Sequence, residues 1–220
     1  MLFNLKQRLQ SLRMVASLAA FLKKPSELDS VFGVVSSLQD SPLATQMQRH
    51  LLADPAMAAL VAEHWRPEPV DMGLLANLPE GSLGRTYAEQ LQRLGLTPES
   101  LIDPKPITTP EEYLIHRLRE THDIVHVLTG FGIDGPGELG LQAFNLAQLR
   151  SPLAVLLIFG GLLSALQDDK PLEPLLSALA RGFELGLKAR CLITFKLEEG
   201  WERPLADWRR ELGLPESPLG

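Results

Sequence analysis

The stretch HDIVHVLTGFGIDGPGE, His122–Glu138, decides how this chain is read. At about 100° per residue, His122 and His126 point within about 40° of each other on one helical face. Ile115 and Leu118 fall in the same sector, which turns the histidines toward the interior. Gly130 is the expected residue just past the helix end. A short glycine-rich turn then leads into a second helix starting around Pro136 or Gly137, with Glu138 in its first turn. An antiparallel helical hairpin sets that first turn beside the last turns of the first helix. His122, His126 and Glu138 are therefore candidate ligands from two helices. Asp123, about 60° from His126, is either a fourth ligand or a group that orients a histidine.

Two neutral imidazoles and two carboxylates balance a divalent cation, and mixed nitrogen and oxygen donors suit zinc, iron or manganese. The plain alternative is a packed hairpin, because histidines four apart also occur as solvent-facing or hydrogen-bonded core residues. A zincin protease helix is excluded, since H-E-x-x-H needs glutamate where Asp123 stands. Working outward, Thr109, Pro110 and Glu112 supply an N-cap, a first-turn proline and a capping-box acid. The first helix thus runs over about 110–129, about 30 Å long.

The rest of the chain is also helical in pattern. Leu5, Leu9, Leu12, Val15, Ala19 and Leu22 form one stripe over residues 2–23, with Lys6, Arg8, Arg13, Lys23 and Lys24 elsewhere. Such a basic amphipathic helix suits an anionic membrane surface, a terminal packed helix or an organelle presequence. Further helices are predicted near 27–38, 42–51, 55–64, 83–94, 172–198 and 204–212, with 66–73 as a loop. Pro152 interrupts or restarts the helix that follows Glu138. No segment shows the alternation expected of a strand. The expected fold is all-α, a single multi-helix domain over residues 1–220.

Composition narrows the function. With 45% apolar residues over 220 positions, the chain can build a real core. A net charge of −6 speaks against a general nucleic-acid binder. The single cysteine, Cys191, cannot form an internal disulfide; together with the lack of a secretory signal this suits a reducing compartment. Cys191 lies in an apolar stretch and is expected to be buried. The uncharged run PLAVLLIFGGLLSAL, Pro152–Leu166, falls short of the roughly 20 residues that span a bilayer. It reads as a buried core helix or as one wall of a lipid cavity. Ser82 is expected in a turn, Trp201 and Trp208 as packing anchors, and His50, His64 and His116 carry no assigned chemistry. The glycines from Gly130 to Gly140 follow no strand and make no dinucleotide loop.

The form H-D-x-x-H, eleven residues, then E resembles the metal-ligand motif of the ubiquinone (coenzyme Q) biosynthesis protein 4 family. LPEGSLGRTYA (Leu78–Ala88), YLIHRLRETHD (Tyr113–Asp123) and EEGWERPLADWRRELGL (Glu198–Leu214) resemble that family's blocks in the same order. The resemblance covers about Leu78 to Leu214. It implies an all-helical protein, peripheral to a membrane, that binds a prenyl lipid or polyprenylated quinone precursor. It also implies a zinc-type site at His122, Asp123, His126 and Glu138, with other quinone-biosynthesis proteins as partners and room for a homodimer.

The implied reaction is metal-dependent oxidative decarboxylation at ring carbon one of a polyprenyl hydroxybenzoate. The alternative is a lipid-binding scaffold for an enzyme complex whose metal is structural. The implied location is the inner face of a bacterial membrane, or the matrix side of the mitochondrial inner membrane. Ile124 and Val125 stand where the family suggests an aromatic pair. Gln142 and Asn145 replace a lysine and a glutamate, so the ligands are kept while the head-group surroundings differ.

Overall fold

The computed structural model describes residue 38, residues 41–95 and residues 107–217. The basic helix predicted over 2–23, and all but the end of that over 27–38, lie outside the described residues. Helices α1 (Pro42–Leu52), α2 (Pro55–Ala62), α3 (Met72–Ala76) and α4 (Leu83–Leu94) come first. They are followed by α5 (Pro110–Thr129), α6 (Gly135–Leu149), α7 (Pro152–Gln167), α8 (Glu173–Lys188) and α9 (Leu205–Leu212). Two 3-10 turns, Leu192–Thr194 and Leu197–Gly200, precede α9. Among the described residues there is no strand, only an isolated bridge between Ser82 and Pro204. The fold is all-α.

Local chemistry sets the boundaries. Thr109 caps α5 through a complete capping box with Glu112, and Pro110 occupies its first turn. Hydrogen bonds from Thr108, chiefly its hydroxyl, hold the Glu112 carboxyl below its usual range. Gly130 ends α5 at φ 72°, a left-handed conformation that costs glycine nothing. Asp134 then caps α6 by accepting from the Gly137 amide at 3.0 Å. Arg150 turns left-handed at the end of α6, and Ser151 with Pro152 starts α7 at once.

Two predictions are corrected. The short helix α3 lies partly in the predicted loop 66–73, because Asp71 accepts from the Gly73 and Leu74 amides and nucleates a turn. The helix predicted over 172–198 stops at Lys188. Beyond it, Ile193, Thr194 and Phe195 are β-branched or aromatic and lie in or beside the 3-10 turns.

The described residues gather into two compact units, each discontinuous in sequence. One takes the described residues up to His50 with Ile133–Leu187; the other takes the described residues of 51–132 and those from Lys188 onward. In the first, α6 packs on α7 around Leu139, Ala143 and Leu179. Helix α8 approaches α6 so closely that a Cβ on Gly182 would lie 2.1 Å from the Gly140 carbonyl oxygen. Only Ala154, Gly160 and Ala165 of α7 are buried, so it is not the fully buried core helix that is one reading of its sequence. No helix among the described residues is long and apolar enough to cross a membrane.

In the second unit, α4 packs on α3 and α5, and α5 also meets α9 and the first 3-10 turn. Leu83, Leu91, Leu114, Ile124, Leu128, Leu197 and Leu212 are sealed in its core. Ser82 caps α4, as its turn position suggests. Trp201 stacks on Tyr87 with ring centroids 5.1 Å apart, and Trp208 donates its indole N–H to the Gly200 carbonyl. Both tryptophans are packing anchors.

Candidate functional site

The histidine helix α5 is held by two buried arginines. Arg117, 1% exposed, donates to the carbonyls of Ile193 and Phe195 and pairs with Glu198. Arg209 donates to the carbonyls of Leu128 at 2.9 Å and Val127 at 3.0 Å. Those carbonyls belong to the last turn of α5, whose oxygens have no partner within the helix, and a guanidinium there also complements the helix dipole. The end of α5 that carries His126 is therefore fixed by a residue 81 positions downstream of Leu128.

That fixed end presents the histidine pair. His126 Nδ1 lies 3.1 Å from the Phe131 carbonyl oxygen, which can only accept. Nδ1 therefore carries the proton, and the neutral ring keeps its lone pair on Nε2. His126 Nε2 lies 3.3 Å from His122 Nε2, with the rings nearly perpendicular and their centroids 4.8 Å apart. Two nitrogens at about 2.0–2.1 Å from a tetrahedral ion stand about 3.3–3.4 Å apart. The pair therefore has the edge length of a tetrahedral metal shell. The same spacing suits an N–H···N hydrogen bond with His122 as donor.

Asp123 is 7% exposed, and its Oδ2 has no hydrogen-bond partner among the described residues. A buried carboxylate oxygen without a donor is costly, and a cation or a donor supplied from outside the chain would relieve it. The structure thus brings His122 and His126 together and buries Asp123 beside them in sequence.

Glu138 belongs to the other unit. It is half-buried in the first turn of α6, where the helix dipole favours a negative charge. It borders a cleft of about 620 Å³ within that unit. Leu139, Leu157, Ala165 and Leu175 make the cleft largely apolar, and Gln142, Ser164 and Lys170 add polar groups. Lys170 Nζ pairs with Asp168 at 2.7 Å. The cleft's size and balance are those of a small-molecule site.

Sequence reasoning missed Arg117 and Arg209. Each interrupts an apolar stripe at helical spacing: Leu114, Arg117, Thr121, Ile124 and Leu128 on α5, and Leu205, Arg209 and Leu212 on α9. An arginine set in such a stripe was the available signal. Cys191 is half-buried rather than fully buried, and burial pushes its thiol up to about 11. It is a poor nucleophile.

Comparison with known proteins agrees with this architecture. Residues 3–218 match the family model of the coenzyme Q (ubiquinone) biosynthesis protein Coq4. The mitochondrial ubiquinone biosynthesis protein COQ4 of Coprinopsis cinerea is 34% identical over 187 residues, covering 84% of this chain and 61% of that protein. The mitochondrial COQ4 homolog of Bos taurus is 35% identical over 182 residues, covering 80% of this chain and 66% of the relative. These matches thus span less than two thirds of the curated relatives' length. A crystal structure of a protein from Nostoc punctiforme, provisionally assigned to ubiquinone biosynthesis, superposes with a TM-score of 0.82 at 30% identity. That match covers 92% of this chain and 97% of the other. The chain belongs to the Coq4 family of coenzyme Q (ubiquinone) biosynthesis proteins.

Proposed function

We propose that this protein binds a divalent metal through His122, His126 and Glu138, with Asp123 as a further ligand or an orienting group, and acts on a polyprenylated ring intermediate of ubiquinone-type biosynthesis. The observation that carries this reading is the 3.3 Å separation of the two Nε2 atoms, together with the Nδ1 contact that leaves the His126 lone pair on Nε2. His122, His126 and Glu138 are the histidine and carboxylate donors that the sequence motif supplies. The connection between α5 and α6 is only five residues, 130–134. Zinc is the first choice for such donors, and iron or manganese also fit them.

The chain's own residues divide the work. The largely apolar cleft beside Glu138 takes the start of the prenyl tail and excludes water. Gln142 and Lys170 give the polar side of that cleft donors for the ring's oxygen substituents. A bound metal supplies Lewis acidity toward those oxygens. The proposed reaction replaces the carboxylate at ring carbon one by hydroxyl. It consumes dioxygen, three protons and two electrons from an external two-electron reductant, and releases carbon dioxide and water.

A second reading is a lipid-presenting scaffold for other quinone-biosynthesis proteins. It is favoured by the apolar residues that α7 and α8 leave exposed, Val155, Phe159 and Leu166 on one and Leu176, Phe183 and Leu187 on the other. Both readings have the protein working at a membrane surface, on the inner face of a bacterial membrane or the matrix side of the mitochondrial one.

The test measures metal content and turnover on one preparation. Wild-type protein is expected to hold about one equivalent of metal, and the His122→Ala, His126→Ala and Glu138→Ala variants to lose it while remaining helical. A folded triple variant with full metal content would overturn the site. Carbon dioxide released from a prenylated hydroxybenzoate under oxygen supports the enzyme. No turnover with zinc, iron or manganese, alongside saturable lipid binding, selects the scaffold.

A further inference from the structure

A second cleft, of about 360 Å³, lies wholly within the unit that holds the histidines. It is bounded by the proline-spaced segment 65–71, the start of α3 and the second 3-10 turn with Trp201. Trp65 and Trp201 supply aromatic walls, and Leu74, 68% exposed, forms an apolar rim. The cations around it already have carboxylates of their own. Arg66 pairs with Glu120, Lys196 with Glu63, and Arg117 with Glu198 through Oε1.

The acids lining the cleft are not balanced in this way. Glu68, Asp71 and Glu199 pair with no cation among the described residues. Asp71 Oδ1 is used as the cap of α3, and Glu199 accepts only the Trp65 indole N–H, at 3.0 Å. Glu198 also lines the cleft, its side chain is 4% exposed, and its Oε2 has no hydrogen-bond partner among the described residues. The Trp65 ring is already faced by Arg117 at 5.0 Å and Lys196 at 5.7 Å, but a buried carboxylate oxygen left without a donor asks for one, and surplus negative charge beside the Trp201 wall selects a cation.

We propose that this cleft binds an alkylguanidinium or alkylammonium group. Its charged head meets Glu68, Glu198 and Glu199, and its methylene stem lies along Leu74 and Trp201. The wall residues suit both parts, since basic side chains bury an apolar stem while their heads seek acids. The same chemistry is offered by an arginine or lysine of a partner protein and by a free aliphatic amine. Neither source touches the histidines or Glu138, so this site is independent of the proposed reaction.

The test titrates the full chain with butylguanidinium chloride at constant ionic strength, followed by tryptophan fluorescence. Butylurea serves as the uncharged isostere. Saturable binding of butylguanidinium and none of butylurea is expected. The Glu68→Gln/Glu199→Gln double variant, which changes exposed acids, should weaken binding by about tenfold or more. Glu198→Gln keeps an acceptor for Arg117 and should weaken it as well; where that variant does not fold, the double variant decides. A blocked Ala-Arg-Ala peptide that binds tighter than butylguanidinium identifies a protein side chain as the ligand, and equal affinity identifies a small amine. Equal binding of butylurea, unchanged affinity in the double variant, or no saturation with the cation overturns the proposal.

Discussion

The two compact units are held together by opposite means. In the unit of the histidines, long polar side chains reach across sequence to satisfy backbone oxygens: Arg117 to Ile193 and Phe195, Arg209 to Val127 and Leu128. In the unit of Glu138, helices touch backbone to backbone, with Gly182 against Gly140 and Gly186 against Phe144. Directional bonds fix an orientation, which a pair of ring nitrogens requires. Close apolar packing fixes a shape, which a largely apolar cleft requires. Each unit is built in the manner that its candidate role demands.

Substitutions that attack one device at a time should expose the difference. The largest effect is expected from Arg117→Met, which strands Glu198 as a buried charge and should cost about 3–5 kcal/mol in urea unfolding. Adding Glu198→Leu to that variant should recover much of the loss, and no recovery would show that the carbonyl bonds, rather than the charge pair, dominate. Gly182→Ala tests the other unit. Alanine ordinarily favours a helix over glycine by about 1 kcal/mol. Here its Cβ would sit 2.1 Å from the Gly140 oxygen and 2.8 Å from Ala143 Cβ, and neither can move without α6. Destabilisation by about 1–3 kcal/mol is expected, and a stabilised variant would show that α8 does not need the close approach. Thr109→Ala should have the smallest effect, about 1 kcal/mol, because it removes a single cap at the end of α5 far from the histidines. Its metal content should be unchanged.

Much of this was legible in the residues. The ends of α5 follow from Thr109, Pro110, Glu112 and Gly130, whose side chains and backbone freedom act within a few residues. The facing of His122 and His126 follows from helical spacing alone. The long-range anchors were not legible in that way. Arg117 finds its acceptors more than 75 residues away, and nothing local in the sequence links it to Ile193. The early stop of α8 at Lys188 escaped for the same reason. The periodic pattern continues past that residue, while Arg190 donates instead to the Leu212 carbonyl at the end of α9. Tertiary hydrogen bonds overrode a weak local preference. In the candidate site, residue types and order could be read, but the protonated nitrogen of His126 required the position of the Phe131 oxygen.

The grip of Arg209 on the end of α5 also sets a timetable. A ribosome delivers His122 and His126 long before it delivers Arg209, and domains generally fold as units during synthesis. Until Arg209 has emerged, the carbonyls of Val127 and Leu128 must rely on water, and the last turn of the histidine helix stays frayed. The pair therefore reaches its final geometry only once α9 arrives. A nascent or truncated chain that stops short of that arginine would carry both histidines without the clasp that steadies them.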